Sequence, residues 1–554
     1  MKDLKEKLQR DGFSGELDDS LSTKMLYSHD ASMFELVPQL VVQPKHSADV
    51  QRLVRFVRAH KKQHPDLSLT ARAAGTDMAG GAIGESIVVD FSKHFTKIGA
   101  ISGLCGTAQS GVLYRDFERE TLKKGVLMPS YPASRDMCQL GGIVANNAGG
   151  EKSLEYGKVE SFVQDMKVVF ADGNEYTVKP LSAKQLQAKI KKRNFEGKLY
   201  KRIYELCEEH YDLIKEARPK VSKNSMGYGL WNVWDRDTGV FDLGQLIVGS
   251  GGTLGLITET TFRLVPYRPH SGLLVLFLRD IDALGELIPK VLQHKPAALE
   301  GFDDQTLALS LRCMPTFYQK LGLKKFARLL WSLAPDCLRF VRRKPKLVLM
   351  IEFSGESEEE VREKVRALHR ELKDYRARYE INGFEEDPTE GKSEKFWLIR
   401  RYSFQIVRTA VKEKQAAPYI DDFVVPPKHL VRFLPELQQI LRKYNLFATI
   451  AGHLGDGNFH VIPLMKVEDD HEREKIVPSQ REINNLVLKY EGSLSGEHND
   501  GLVRGPWLEA QFGKAVFGLF TEVKHIFDPE NIFNPHKKTD SDWHYTFSHI
   551  REHF

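Results

Sequence analysis

Residues 140–150 read LGGIVANNAGG. The adjacent Gly141 and Gly142 let another molecule approach the backbone closely, and Asn146 and Asn147 add amide hydrogen-bond partners for a bound cofactor. Working outward, Pro129, Ser130, Tyr131, Pro132, Ala133 and Ser134 precede this stretch, and a strand over 164–170 follows it. An earlier loop, 73–82 (AAGTDMAGGA), lies between two short apolar strands, 67–72 and 87–90. Its small residues expose consecutive N–H groups to which a diphosphate can come close. A third loop, 249–258 (GSGGTLGLIT), runs into the apolar segment 262–266. Glycines also simply make turns, so each loop alone says little; three in this order say more. No G-x-G-x-x-G occurs, which removes the usual Rossmann dinucleotide fingerprint. Before the first loop, residues 40–43 read as a strand and a helix starts at Ser47, a candidate N-cap, with Val50, Leu53, Val54 and Val57 at helical spacing.

A second constellation lies near the C-terminus. Residues 451–460, AGHLGDGNFH, place His453 and His460 on either side of a Gly-Asp-Gly-Asn turn between β-type segments. A strand–turn–strand brings both imidazoles into one volume. Further on, Ser495-Gly496-Glu497-His498 adds a carboxylate and a third imidazole. Two His and one Glu form a common three-ligand set for a catalytic divalent metal, although histidines beside glycine turns also cap loops.

The motifs GHLGDGNFH and GEH, with GGIVANNAGG and GSGGTLGLIT, resemble those of the FAD-linked D-2-hydroxy-acid dehydrogenases of the vanillyl-alcohol-oxidase superfamily, a group that includes D-lactate dehydrogenases, the glycolate oxidase flavin subunit and D-2-hydroxyglutarate dehydrogenases. The resemblance runs from about 41 to 266 and again through the C-terminal motifs. It implies an α+β protein: a PCMH-like FAD-binding domain over 36–266 and an α+β cap with a mainly antiparallel sheet and helices on one face over 267–500. An N-terminal helical extension over 1–35 precedes them, and 501–554, with its FDPENIFNP segment, returns to the FAD domain. By the same resemblance Ala73, Ala74, Gly75, Thr76, Asp77 and Gly80 wrap the FAD diphosphate, and Ser134, Gly141, Gly142, Asn146, Ile257 and Asn534 line the rest. Thr76-Asp77 stands where some members attach flavin through histidine, so FAD is expected to be non-covalent.

The implied reaction oxidises the C2 alcohol of a D-2-hydroxy acid, D-lactate to pyruvate as the leading case, by hydride transfer to flavin N5. His453, His460 and Glu497 hold the metal, Zn or Mn. His498 is the base, its imidazole neutral near pH 7. Arg400, in FWLIR, takes the substrate carboxylate through its bidentate fork, with Arg401 and Arg408 as rivals. Two departures stand out. Asn499 follows the GEH triplet where relatives carry glycine. Ile420 stands where D-2-hydroxyglutarate enzymes carry a lysine for a second carboxylate, which disfavours a dicarboxylate substrate. Glycolate and D-2-hydroxyglutarate remain alternatives, as do an ether-lipid synthase and a flavin-binding electron-transfer subunit without substrate chemistry.

Composition sets limits on partners. At 554 residues the chain requires more than one core, and 41% hydrophobic with 28% charged residues is a globular balance. The start, MKDLKEKLQRDG, lacks the apolar segment of a secretory signal, and no run of eighteen apolar residues occurs. Five scattered cysteines without a CxxC pair point to a reducing compartment and away from an iron–sulfur cluster. Electrons are therefore expected to leave for an external acceptor: a quinone, a cytochrome or a separate electron-transfer protein. The +5 net charge is concentrated between Arg312 and Lys346, where ten Lys/Arg accompany one acid, Asp336, with Phe317, Phe326, Trp331 and Phe340 interleaved. Such a segment suits peripheral contact with an anionic membrane, or a helix pair with a solvated basic face. No nucleic-acid motif accompanies it. The expected location is cytoplasmic, with the inner membrane face as the site of any contact.

Overall fold

The computed structural model describes residues 2–312, 345–387, 395–400 and 414–552. Residues 313–344, most of the basic segment, lie outside the described residues, and so do Arg401 and Arg408. Among the described residues no helix is long and apolar enough to cross a membrane.

The two larger sheets of the first half frame it, beside a three-stranded and a two-stranded one. Leu40–Gln43, Ile87–Asp90 and Leu69–Arg72 pair in parallel, with Glu16–Asp18 added antiparallel at one edge. The helix Ser47–His60 buries Val50, Leu53, Val54, Phe56 and Val57 against this sheet's core. Ser47 is not its cap. His46 holds that position without a side-chain hydrogen bond, and the start is secured by buried Asp49, whose carboxylate accepts from the N–H groups of Ser14 at 2.9 Å and Lys45 at 3.0 Å. The second sheet is antiparallel, in the order Ile98–Ser102, Cys105–Gln109, Leu256–Arg263, Val163–Val169, Glu175–Val178.

The reading of 1–35 as a helical extension needs correction. Its helices Lys2–Arg10 and Leu21–Tyr27 flank the strand Glu16–Asp18, which belongs to the first sheet, and Leu4, Leu8 and Phe13 are buried in the same core. The C-terminal tail also joins this half. Phe533 bridges to Leu69, and Ile532 and Phe533 are fully buried there.

The second half carries an antiparallel sheet in the order Ile381–Asp387, His270–Leu278, Leu347–Gly355, Ala298–Asp303, Ala448–His453, Asn458–Met465, Gln415–Ala416, with Phe423–Val424 also paired to Asn458–Met465. Helices on one face were expected, yet both faces are covered. Leu274, Leu276 and Leu278 enter the core that holds Leu284–Leu292, Glu358–Asp374 and Leu430–Lys443. The alternate residues Leu273, Val275 and Phe277 pack on Leu307, Phe396 and Trp397. Burial on both faces explains why LLVLFL is apolar throughout instead of alternating.

Candidate active site

Between the halves lies a cavity of about 660 Å³. Its wall includes residues 73–77 with Gly81 and Ala82, then Ser134, Gly141, Gly142, Asn146 and Ile257, and from the second half Arg400, His460, Glu497 and His498; His453 lies outside the wall. Gly141 and Gly142 lie in the first turn of a short helix, Leu140–Ala145, and not in an open loop. This helix packs so closely on the end of strand Cys105–Gln109 that a Cβ on Gly141 would come within 2.5 Å of Ser110. A Cβ on Gly142 would touch only Ala73, at 3.4 Å, and otherwise stand in the cavity. Gly75, Gly251 and Gly252 turn with φ of 67°, 62° and 73°, conformations that suit glycine, and all three line the wall. A cavity of this size lined by three small-residue segments, with glycines at 75, 142, 251 and 252, has room for a dinucleotide whose diphosphate lies close to backbone.

Two expected cofactor residues lie behind the wall. Gly80 packs against Phe34 and Leu502. Asn534 is a clamp: its Nδ2 donates to the carbonyls of Gly81 at 2.8 Å and Gly251 at 2.7 Å, joining two of the loops. Asp77 is a clamp as well as a wall residue, accepting from Gly81 N at 2.6 Å and from Asn146 Nδ2 at 2.7 Å. The N-terminal segment adds His29, Asp30 and Ala31 to the wall, which no loop motif announced. Asp30 is tied to the first loop through Ala82 N, and burial together with nearby Asp77 pushes its carboxyl up to about 6.

In the second half the hairpin pairs Ala451 with His460 and His453 with Asn458, so His453 and His460 are diagonal neighbours on one face. Gly457, with φ of 66°, closes the turn, and a Cβ there would meet Val425 O at 1.9 Å. Three imidazoles converge on one carboxylate oxygen. Glu497 Oε1 lies 3.1 Å from His453 Nε2, 3.4 Å from His460 Nε2 and 3.8 Å from His498 Nε2. Each ring is aimed by its other nitrogen. His453 Nδ1 meets Glu300 Oε1 at 2.5 Å, His460 Nδ1 meets Asp421 Oδ1 at 3.3 Å, and His498 Nδ1 meets Asp421 Oδ2 at 2.6 Å. With Nδ1–H donating to a carboxylate, each Nε2 lone pair is turned inward. Glu497 Oε2 lies 3.3 Å from the buried Lys223 ammonium, which also contacts Asp456.

The residues fit a divalent cation: imidazole and carboxylate donors at one point, with their outer nitrogens held by buried carboxylates. Asp422, His460, Glu497 and His498 also have ligand atoms within 4.8 Å of one another. Asp422, however, is already engaged. Its Oδ2 accepts from Glu497 N at 2.9 Å, His498 N at 2.7 Å and Ser495 Oγ at 2.8 Å, and its Oδ1 from Asn458 Nδ2 at 3.0 Å. It shapes the loop that carries Glu497 and His498. Asn499 adopts the left-handed conformation, φ 66°, that glycine serves in relatives, so the loop tolerates this departure.

The electrostatics alter one expectation. Burial lowers the His498 pKa, but Asp421 and Asp422 outweigh it and push the ring up to about 10. The imidazole is thus cationic at neutral pH unless another positive charge occupies the cluster, where the sequence led us to expect a neutral base. Burial opposes ionisation of Glu300 and Glu497, yet His453 with Arg400 keeps the first, and His453 with Lys223 the second, below the usual carboxylate range. Arg400 is buried at the cavity wall and its Nε donates to Glu300 Oε2 at 3.0 Å. Ile420 is 2% exposed and packs in the cap core, away from the wall, so the argument it offered against a dicarboxylate loses its basis.

Comparison with known proteins agrees with this geometry. Residues 38–179 match the FAD binding domain family and residues 268–538 the C-terminal domain of FAD linked oxidases. The chain is 26% identical over 537 residues to a D-2-hydroxyglutarate dehydrogenase of Escherichia coli, covering 96% of this chain and 51% of that protein. It is 26% identical to glycolate oxidase subunit GlcD of Bacillus subtilis, with 97% and 96% covered, and 25% identical to a D-lactate dehydrogenase of Archaeoglobus fulgidus, with 92% and 95% covered. The chain thus spans about half the length of several curated relatives and nearly all of others. Among solved structures, p-cresol methylhydroxylase superposes with a TM-score of 0.66 at 13% identity, over 98% of this chain and 97% of that one. Alkyldihydroxyacetonephosphate synthase superposes with a TM-score of 0.63 at 14% identity, over 97% and 84%. The chain thus carries an FAD binding domain and a C-terminal domain of FAD linked oxidases, and it is similar to proteins named D-2-hydroxyglutarate dehydrogenase, glycolate oxidase subunit and D-lactate dehydrogenase.

Proposed function

We propose that the protein oxidises a D-2-hydroxy acid to the 2-oxo acid, with D-lactate the leading substrate, and passes the electrons to an external acceptor. One observation carries the reading: Arg400, His460, Glu497 and His498 line the same cavity as the glycine loops 73–77, 141–142 and 251–252, and His453 stands behind Glu497 with its Nε2 3.1 Å from Oε1. Arg400 binds the substrate carboxylate. His498 takes the hydroxyl proton at Nε2 while Asp421 holds its Nδ1–H. FAD, held non-covalently along residues 73–77, Gly142 and Gly251–Gly252, would supply the hydride acceptor for C2. A divalent cation held by His453, His460 and Glu497, Zn or Mn, supplies Lewis acidity toward the hydroxyl and the positive field that keeps His498 neutral. Ala451, Ile462, Thr306 and Thr449 line the same cavity and suit a short side chain on C2. Glycolate and D-2-hydroxyglutarate are the alternatives that fit the same chemistry.

The test is an anaerobic titration of the metal-replete yellow protein with D- and L-lactate, glycolate and D-2-hydroxyglutarate, following flavin absorbance. Bleaching by D-lactate alone is expected. Bleaching only by another acid keeps the reaction and changes the substrate. A flavin that stays oxidised with every acid overturns the proposal and leaves an electron-transfer subunit.

A further inference from the structure

Glu300 stands outside every motif, yet it touches both functional groups of the cap. It lies in strand Ala298–Asp303, which pairs with Ala448–His453 through Gly301↔Gly452 and Phe302↔Ala451, so one step further along this register Glu300 faces His453. Its side chain is 2% exposed. Its two oxygens are divided: Oε1 meets His453 Nδ1 at 2.5 Å, and Oε2 accepts from Arg400 Nε at 3.0 Å. Arg400 arrives from a different segment, 395–400, with its own side chain 8% exposed.

We propose that Glu300 is a positioning residue that couples the cation-binding and anion-binding parts of the site, one oxygen aiming the His453 ring and the other fixing the Arg400 guanidinium. The inference rests on the cation and carboxylate roles assigned above to His453 and Arg400. Its physical basis is that a carboxylate shared by two donors fixes both orientations relative to one backbone point. Holding Nδ1–H leaves Nε2 as the ligand atom. Holding Nε fixes the plane of the guanidinium at the cavity wall. An ordinary buried ion pair would need only Arg400. The second, charge-assisted contact to His453 is what a bridging role requires.

The experiment uses the full-length FAD-loaded protein and its Glu300→Gln and Glu300→Asp variants. Flavin absorbance first confirms that each variant is folded and retains FAD. Mn²⁺ affinity is then measured by EPR of free Mn²⁺. Oxalate affinity at saturating Mn²⁺ is read from flavin difference spectra, so neither readout depends on turnover. We expect Glu300→Gln to weaken Mn²⁺ binding roughly 10–100-fold, the usual effect of removing an outer-shell partner, and to weaken oxalate as well. In Glu300→Gln, a further Arg400→Lys change should cost less oxalate affinity than it does in wild type, because coupled residues are non-additive. Glu300→Asp keeps the charge but is one methylene shorter, so it should restore one affinity more than the other. Weakened Mn²⁺ with unchanged oxalate would overturn the bridging role, as would the reverse pattern or fully additive variants. If wild type binds both probes and no 2-hydroxy acid bleaches its flavin, the proposed function fails while the coupling is still decided by these affinities.

Discussion

The wall around residues 73–77, 141–146 and 251–257 is rich in glycine and alanine, whereas the wall around Glu497 is formed by residues with charged and imidazole side chains. At the first, the absence of Cβ atoms does the shaping: Gly142 opens onto the cavity, and Gly75, Gly251 and Gly252 hold turns at positive φ. At the second, His453, His460, Glu497 and His498 are each aimed by a partner distant in sequence: Glu300, Asp421, Lys223 and, for the loop, Asp422. A backbone site tolerates many neighbours but no added bulk. A side-chain site tolerates bulk elsewhere but no loss of an orienting partner.

This contrast can be broken from either side. The largest effect is expected for His498→Ala, which should slow flavin reduction by about 10³-fold, within the usual range for a positioned base, with FAD retained. Single-turnover bleaching of the yellow variant is the check, and wild-type speed would remove His498 from the chemistry. Stripping the cation with a chelator should slow bleaching by a smaller factor and leave the flavin spectrum, and Mn²⁺ or Zn²⁺ should restore the rate. Gly142→Leu makes the converse prediction. Its side chain enters the cavity, so the purified protein should lose its yellow colour while still binding Mn²⁺. A yellow, active variant would show that the cavity is not where the flavin lies.

The smallest expected effect concerns stability. Burial pushes Asp303 up to about 7 against its hydrogen bonds from Thr306 and Ile450. Its folded pKa is raised above the unfolded value, so its contribution is fully present below about pH 4 and is lost as pH rises toward 7. The slope is at most about 1.4 kcal/mol per pH unit. Denaturant unfolding of wild type and Asp303→Asn between pH 4 and 8 should show that slope in wild type alone, and parallel profiles would refute the assignment.

The two regions also differ in how far the sequence discloses them. Backbone sites are written in contiguous small residues, so 140–150 and 249–258 could be read directly, and the hairpin at 451–460 likewise announced its two histidines. Glu300 and Asp421 could not be read: Glu300 acquires its role only when its strand pairs with Ala448–His453, and Asp421 only when it meets His460 of strand Asn458–Met465 and His498. Lys223 is similar: nothing in its polar segment marks it out, and it is 1% exposed between Asp456 and Glu497. Asn534 and Gly80 lie within motifs, and beside any cofactor contact Asn534 joins two loops while Gly80 fits where a Cβ would meet Phe34 and Leu502. The two-sided burial of the cap sheet was visible as the run LLVLFL, and could have been read as such.

The most direct test of the account is the rate of anaerobic single-turnover flavin bleaching by D-lactate, or by whichever acid the titration selects, with protium or deuterium at C2. The account predicts slower bleaching with deuterium, because the C2–H bond breaks as the flavin is reduced. Bleaching that is equally fast with both isotopes, in wild type and in the slowed His498→Ala protein, would contradict it.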